Sequence, residues 1–357
     1  VAEENDAEQA KTAGNLEVHF IDVGQGDATL IKCDGHSMLI DAGNNDKGTL
    51  VQNYLQHQGV ETLDYVIGTH PDADHIGGMD VVLYKFDCKT IIMPDVANNT
   101  RTYDDVVQTM KNKGYKTTYP VVGETYTIGG AAFTIIAPNK EYGNDMNSWS
   151  VGVLLQNGNH RFLFTGDAEE GAEQDILQNG IDISADVYKV AHHGSNTATS
   201  QAFLDAVHPT YAVISAGEGN SYGHPHAEVL NRLRAAGVSV FRTDEQGTIV
   251  ASSDGTTLTW NMSPSESWQA GEAEKSQNTE KSEKAADSQN NAETDAAVSN
   301  PTDQTDGNSD VIVHITKTGE KYHSAGCQYL RKSDIEVTLS EAKARGLTPC
   351  SKCNPPQ

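Results

Sequence analysis

The chain has 357 residues, with 25 Lys and Arg against 50 Asp and Glu and a hydrophobic share of 37%, so it has room for a large domain while part of its length packs no core. A formal charge of −25 excludes long-range attraction of polyanions by the chain as a whole, and no stretch approaches the roughly 18–20 apolar residues of a membrane span, so no transmembrane segment is expected. Cys33, Cys88, Cys327, Cys350 and Cys353 are too few for a disulfide framework.

Residues 1–15 lack apolar anchors and are expected to form a flexible leader; with no signal peptide visible, a chain opening on Val1 reads as trimmed or processed. The first domain, 16–260, opens with apolar runs at 16–23, 28–33 and 36–43 separated by the turn signals GQGD and DGH, which predicts an antiparallel meander. Apolar spacing over 49–59 predicts a helix stopped by Gly59. The buried-looking strand 63–70 runs straight into THPDADHIGG, where Gly77 and Gly78 are expected to turn the backbone tightly. Strands follow at 89–94, 131–138, 150–158 and 160–169, then a helix at 170–178 and strands at 185–195 and 210–217. A turn at 220–226, a helix at 227–237 and two closing strands complete the domain. This order predicts an α/β fold of two sheets between helical layers. Polar residues recur at the strand ends, where open sheets gather their sites.

From Asn261 to Asp310 the chain holds almost nothing but Ser, Glu, Asp, Asn, Gln, Lys, Ala and Thr. Such a composition cannot offset its ordering entropy, so 261–310 is expected to be a disordered linker. Beyond it lies a small domain, 311–357, in which 311–330 predicts a hairpin and 333–346 contains a helix closed by Gly346. His323-x3-Cys327, followed after 22 residues by Cys350-x2-Cys353, has the donor set of a closed structural zinc site. So short a unit with little core needs a staple of that kind; a disulfide between two of the cysteines is the alternative. The spacing resembles the metal-binding module of Ada-type alkylation-repair proteins, with His323 in place of the first Cys. Charge divides unevenly, 31 acids against 14 Lys and Arg over 16–262 but 4 acids against 7 over 311–357, so the basic tail could recruit an anionic ligand.

The chemistry concentrates in His70, Asp72, Asp74 and His75, four potential ligands within six residues at the exit of a buried strand. Neighbouring carboxylates repel unless a cation lies between them; a solvated acidic loop is the alternative. Around this run the sequence resembles the metallo-β-lactamase superfamily, whose signature is H-x-H-x-D-H. The likeness is to the subgroup with Asp in the second place, as in the nuclease-like domain of ComEC-type DNA-uptake proteins. FIDVGQGDATLI, THPDADHIGG, FLFTGDAE, KVAHHGS and GHPH occur in family order across roughly 16–262.

The resemblance implies the αββα metallo-β-lactamase sandwich and a site for two divalent ions. His70 and Asp72 would hold one ion and Asp74 and His75 the other, with Asp167 bridging and His193 completing the second site. His192 is the rival of His193, since a strand end is not expected to aim both rings at one point. His224 and His226 lie on a turn within reach of substrate, His224 being favoured, with a turn stiffened by Pro225 as the alternative. Asp22, Gln25 and Asp27 are left as a structural turn.

Two departures from the superfamily pattern matter. Asp72 stands where many relatives have His, and the strand 146–155 offers Asn147, Ser148 and Ser150 where they have a further His ligand. A carboxylate in place of imidazole hardens the site, so manganese competes with zinc. Two cations ~3.5–4 Å apart activate a shared water and clamp a phosphoester for in-line attack. Asp74, His192 and His224 are the catalytic candidates, the histidines as proton donors to the leaving group. The expected activity is that of a phosphodiesterase, a DNA nuclease acting outside the cytoplasm, secreted or associated with the cell surface. Alternatives are a hydrolase of phosphorylated cell-wall or lipid headgroups, as in a bacterial phosphorylcholine esterase of similar build, a lactamase-like hydrolase, or a binding module with structural metals.

Overall fold

A computed structural model describes residues 13–271, 312–316, 321–323, 330, 335–344, 347–350 and 352–353, and the chain divides into two units between Thr279 and Glu280.

In the first unit β1 (Leu16–Phe20), β2 (Thr29–Cys33) and β3 (His36–Ile40) pair antiparallel as expected. Helix α1 (Gly48–His57) crosses to β4 (Thr62–Ile67), parallel to β3. The helices α2 (Ala73–Ile76) and α3 (Met79–Lys85) lead to β5 (Asp87–Ile92), and α4 (Arg101–Lys113) leads to β6 (Thr117–Thr118). The second half begins with the meander β7 (Thr125–Ile128), β8 (Ala131–Ala137), β9 (Gly152–Asn157) and β10 (His160–Phe164). Parallel strands follow after crossover helices: α5 (Glu170–Gln178), β11 (Val187–Lys189), α6 (Gln201–Val207), β12 (Tyr211–Ile214), α7 (Ala227–Ala235) and β13 (Ser239–Arg242). After α8 (Thr243–Gln246), β14 (Ile249–Ser253) and β15 (Leu258–Trp260) return beside β1.

The strand orders are β15-β14-β1-β2-β3-β4-β5-β6 and β13-β12-β11-β10-β9-β8-β7. Phe20, Ile31 and Met38 of the first sheet meet Phe133, Leu155 and Phe162 of the second in a shared core. Val51, Val82 and Val106 seat α1, α3 and α4 on the outer face of the first sheet, while Ile176, Phe203 and Leu233 seat α5, α6 and α7 on the second. Helix, sheet, sheet and helix form the four layers of the expected sandwich.

Several local expectations need correction. Gly77 and Gly78 make the expected turn, between α2 and α3, but with right-handed φ of −59° and −90° that any residue can adopt. They are required for space instead, since a Cβ would stand 2.3 Å from the carbonyl oxygen of Ala73 at Gly77 and of Ala42 at Gly78. The helices α3 and α4 were not anticipated, although Thr100, whose side chain accepts from the Tyr103 N–H, and left-handed Gly114 are start and stop signals for α4. Order begins before residue 15: the Gly14 N–H donates to Asn157 Oδ1 at 2.8 Å.

The linker expected from 261 also starts too early. The Ser265 N–H donates to the Val240 carbonyl at 2.7 Å and the Gly271 N–H to the Pro225 carbonyl at 3.0 Å, while Trp268 and Ala270 pack against the outer core of the second sheet. Two apolar anchors in a polar run were enough to escape a compositional argument. The expected linker residues 272–310 lie outside the described residues. A fragment ending at Asn261 is expected to melt roughly 5 °C below one ending at Gly271, through loss of about 2 kcal/mol of partly buried Trp268 contact. Equal melting temperatures in calorimetry would show that the segment contributes nothing.

In the second unit β16 (Ile312–Ile315) and β17 (Lys321–His323) form the expected hairpin. The strand β18 (Ile335–Thr338) pairs with β16, the helix α9 (Leu339–Ala344) follows, and β19 (Thr348–Pro349) lies parallel to β17. Val313, Ile315, Tyr322, Val337 and Leu339 form a small core. Among the described residues no helix is long and apolar enough to cross a membrane.

Candidate metal centre

The site sits beyond the carboxyl ends of β4, β10 and β11, so both sheets contribute to it. Past β4, the Thr69 carbonyl accepts from the Val151 N–H at 2.8 Å, tying the loop that carries His70 to the second sheet. Asp72 stands at the residue before the single turn of α2, which carries Asp74 and His75, and its side chain makes no cap hydrogen bond there. Asp167 follows β10 after left-handed Gly166, where a Cβ would crowd Ser150 Oγ at 2.8 Å. His192 and His193 follow β11 in consecutive left-handed conformations, φ 51° and 54°. Non-glycine residues rarely hold that geometry, and here it turns both rings inward.

Asp167 is the centre of the cluster. Its carboxylate lies 3.1 Å from His75 Nε2, 3.5 Å from His193 Nε2, 3.7 Å from His192 Nε2 and 4.0 Å from His70 Nε2. Asp74 stands 3.3 Å from His193 Nε2 and Asp72 3.8 Å from His70 Nε2. One ligand atom each from Asp74, His75, Asp167 and His193 lie within 4.8 Å of one another. His70 approaches Asp167 from outside that quartet, with Asp72 beside its Nε2. The expectation that only one of His192 and His193 faces the site is corrected, because the left-handed pair brings both within 4 Å of Asp167.

These residues fit divalent ions. His70, His75 and His193 are fully buried, yet their Nε2 atoms and Asp167 Oδ1 lack hydrogen-bond partners. Orphaned polar atoms in a core are costly; a cation among them removes the cost. Imidazole and carboxylate donors suit zinc and manganese alike. The electrostatics agree. Burial works against a charge on His75 and His193, but Asp167, with Asp41 at His75 and Asp27 at His193, raises both well above the ordinary histidine range. Burial would likewise raise Asp74, but the His193 ring 3.3 Å away brings it down to about 2. Burial, then the neighbouring His75, lowers His70 to about 3. Carboxylates able to hold protons on two buried rings are equally placed to hold cations.

A supporting layer fixes the rings. His75 Nδ1 lies 2.8 Å from Asp41 Oδ2, and His193 Nδ1 lies 3.0 Å from the Ser215 carbonyl and 3.4 Å from Asp27 Oδ1. Such Nδ1 contacts aim Nε2 into the site. Ser150 Oγ lies 3.3 Å from His70 Nδ1 and accepts from the Asp167 N–H at 3.0 Å. Where relatives were expected to carry a further ligand, this chain thus has a hydroxyl that braces two others. Asn147 instead donates to Glu169 and Ser148 to Asp145. Asp27, assigned to a turn, is buried beneath His193 and takes a 2.8 Å ion pair from Lys189. Asp41, Thr69 and Lys189 were missed altogether. Asp41 ends a strand in the same way as Asp167, which is the signal that could have found it.

The two turn histidines part ways. His226 holds backbone with both ring nitrogens: Nδ1 accepts from the Asn196 N–H at 2.9 Å and Nε2 lies 3.1 Å from the Tyr222 carbonyl. His224 faces the cluster, its ring centroid 5.7 Å from His192 and 6.1 Å from His193. Burial, then His193, pushes its pKa down to about 4.

In the second unit one ligand atom each from His323, Cys350 and Cys353 lie within 4.8 Å of one another. Cys327 lies outside the described residues.

This fold and this cluster define a metal-dependent hydrolase. The sequence model of the Metallo-beta-lactamase superfamily matches residues 21–218, and the chain belongs to that superfamily, whose fold implies divalent metal binding. Its relatives include ComE operon protein 3 from Bacillus subtilis (31% identical over 65% of this chain and 32% of the relative) and Recombination protein 2 from Haemophilus influenzae (33% over 65% and 28%). Competence protein ComA from Neisseria gonorrhoeae is 29% identical over 64% of this chain and 31% of its own length. The chain thus aligns with under a third of each relative's length. Among solved structures, the metallo-beta-lactamase fold protein YhfI from Bacillus subtilis aligns over 69% of this chain and 100% of its own, with a TM-score of 0.46 and 13% identity.

Proposed function

We propose that the protein is a phosphodiesterase that cleaves DNA outside the cytoplasm, secreted or held at the cell surface, with two zinc or manganese ions at Asp167 and a structural zinc at His323, Cys327, Cys350 and Cys353. The observation that carries this reading is the convergence of three orphaned, buried imidazole nitrogens and one carboxylate on a single point. Relatives named for competence and recombination support DNA as the substrate.

Bound ions would supply Lewis-acid stabilisation and a more acidic water. The chain does the rest. His70 and Asp72 would hold one ion, Asp74, His75 and His193 the other, and Asp167 both. His192, one-fifth exposed and with Nδ1 3.1 Å from Thr197 Oγ1, is free to carry a proton to the leaving oxygen. His224, with its pKa near 4, is neutral at pH 7 and carries none. His192→Gln is therefore expected to slow an alkyl phosphodiester about a hundredfold but a nitrophenyl diester far less, because nitrophenolate leaves without a proton. Equal losses on both esters would remove His192 from this role.

The substrate assignment is tested with the metal-loaded full chain on DNA, RNA and small diesters. Cleavage of DNA is expected, and deleting residues 311–357 should weaken DNA binding, with a reduced salt dependence, while leaving small diesters unaffected. A protein that hydrolyses small diesters but spares nucleic acid at every salt concentration would be a headgroup hydrolase instead.

A further inference from the structure

The metal cluster does not end at His193. Its ring is followed by that of His224 at 6.1 Å and 28° between planes, and His224 is followed by Tyr222 at 5.5 Å and 20°. Three near-parallel rings thus succeed one another from the buried ligand outward. The last of them is 63% exposed, so with one face against His224 its opposite face is open to solvent. The loop holding Tyr222 is also built rather than loose. Asn220 Oδ1 accepts from the N–H groups of Tyr222 at 3.2 Å and His224 at 3.0 Å, its Nδ2 donates to the His224 carbonyl at 2.6 Å, and His226 Nε2 meets the Tyr222 carbonyl at 3.1 Å.

We propose that Tyr222 is a substrate-positioning residue, a stacking platform for the unpaired nucleobase beside the phosphodiester that is cleaved. This rests on the reading of DNA as substrate and adds to it a preference for single strands. A base enclosed in a duplex already stacks on its neighbours and cannot reach the platform, whereas an unpaired base offers a free face. Stacking tolerates any base, so the preference is for strandedness and not for sequence. No backbone charge is needed from an acidic domain for this contact, and an aromatic ring is the anchor such a surface can provide.

The test compares wild type, Tyr222→Phe and Tyr222→Ala as full chains loaded with manganese. Cleavage kinetics are followed on a single-stranded thymidine oligonucleotide and on an abasic chain of the same length. Binding of both chains is measured by fluorescence anisotropy in an Asp72→Asn background. On the thymidine strand Tyr222→Ala is expected to raise KM and Kd about tenfold, the effect of losing one base–aromatic stack, with kcat held within about twofold. Tyr222→Phe should match wild type. On the abasic chain all three should agree. An unchanged Kd for Tyr222→Ala on the thymidine strand overturns the proposal. So does an equal loss on both chains, which would mean that Tyr222 only props His224. Tyr222-dependent binding of the thymidine strand without its cleavage would uphold the platform and refute the nuclease.

Discussion

Asp167→Asn is expected to remove at least one bound ion and to cut hydrolysis of a small diester about a thousandfold or more, while the circular dichroism of the protein stays unchanged. Loss of a residue that merely orients a metal ligand costs about 10–100-fold, and Asp167 is no mere orienter, since all four clustered histidines point Nε2 at it within 4.0 Å. The amide keeps shape and volume but surrenders the charge that offsets the cations. Metal content by mass spectrometry and rates on a nitrophenyl diester provide the measurement. A variant with both ions and undiminished rate would displace Asp167 from the centre of the site.

Lys189→Met should destabilise the metal-free protein by about 3–5 kcal/mol, the cost of stranding a buried charge whose partner has gone. Lys189 and Asp27 are both almost fully buried and lie 2.8 Å apart. Burial would raise the Asp27 carboxyl, yet Lys189 and His193 hold it well below the usual carboxylate range, so Asp27 is ionised at neutral pH beside the lysine. Combining Lys189→Met with Asp27→Leu should recover most of the stability, since a well-packed apolar pair can replace a buried ion pair at little cost. Urea titration measures both variants. A Lys189→Met midpoint close to wild type would mean that water or a rearranged neighbour already serves Asp27.

Much of this was legible in the residues themselves. Strands β1 to β3 alternate or saturate in apolar residues and are punctuated by Gly, and α5 carries its own spacing, so local patterning was enough. The run HPDADH announced metal because carboxylates do not crowd together without a cation. What escaped notice depends on the chain's return from a distance. Lys189 looks like any strand lysine until β11 places it 162 residues away from its partner in sequence. The inward turn of both His192 and His193 is a backbone conformation, and ring identity says nothing about φ. Trp268 was lost in a polar stretch because composition averages away a single anchor.

The division of ligands between the two sheets has a thermodynamic corollary. His70, Asp74 and His75 leave the end of β4 in one sheet, while Asp167 and His193 leave β10 and β11 in the other. Neither half of the domain can assemble the quartet alone, so each ion taken up is also a cross-link between halves. By mass action, free metal at a hundred times its dissociation constant adds about 2.7 kcal/mol per site to the folded state. The lifetime of the metal-loaded fold would then follow the metal supply, and scarcity would cost it persistence as well as turnover.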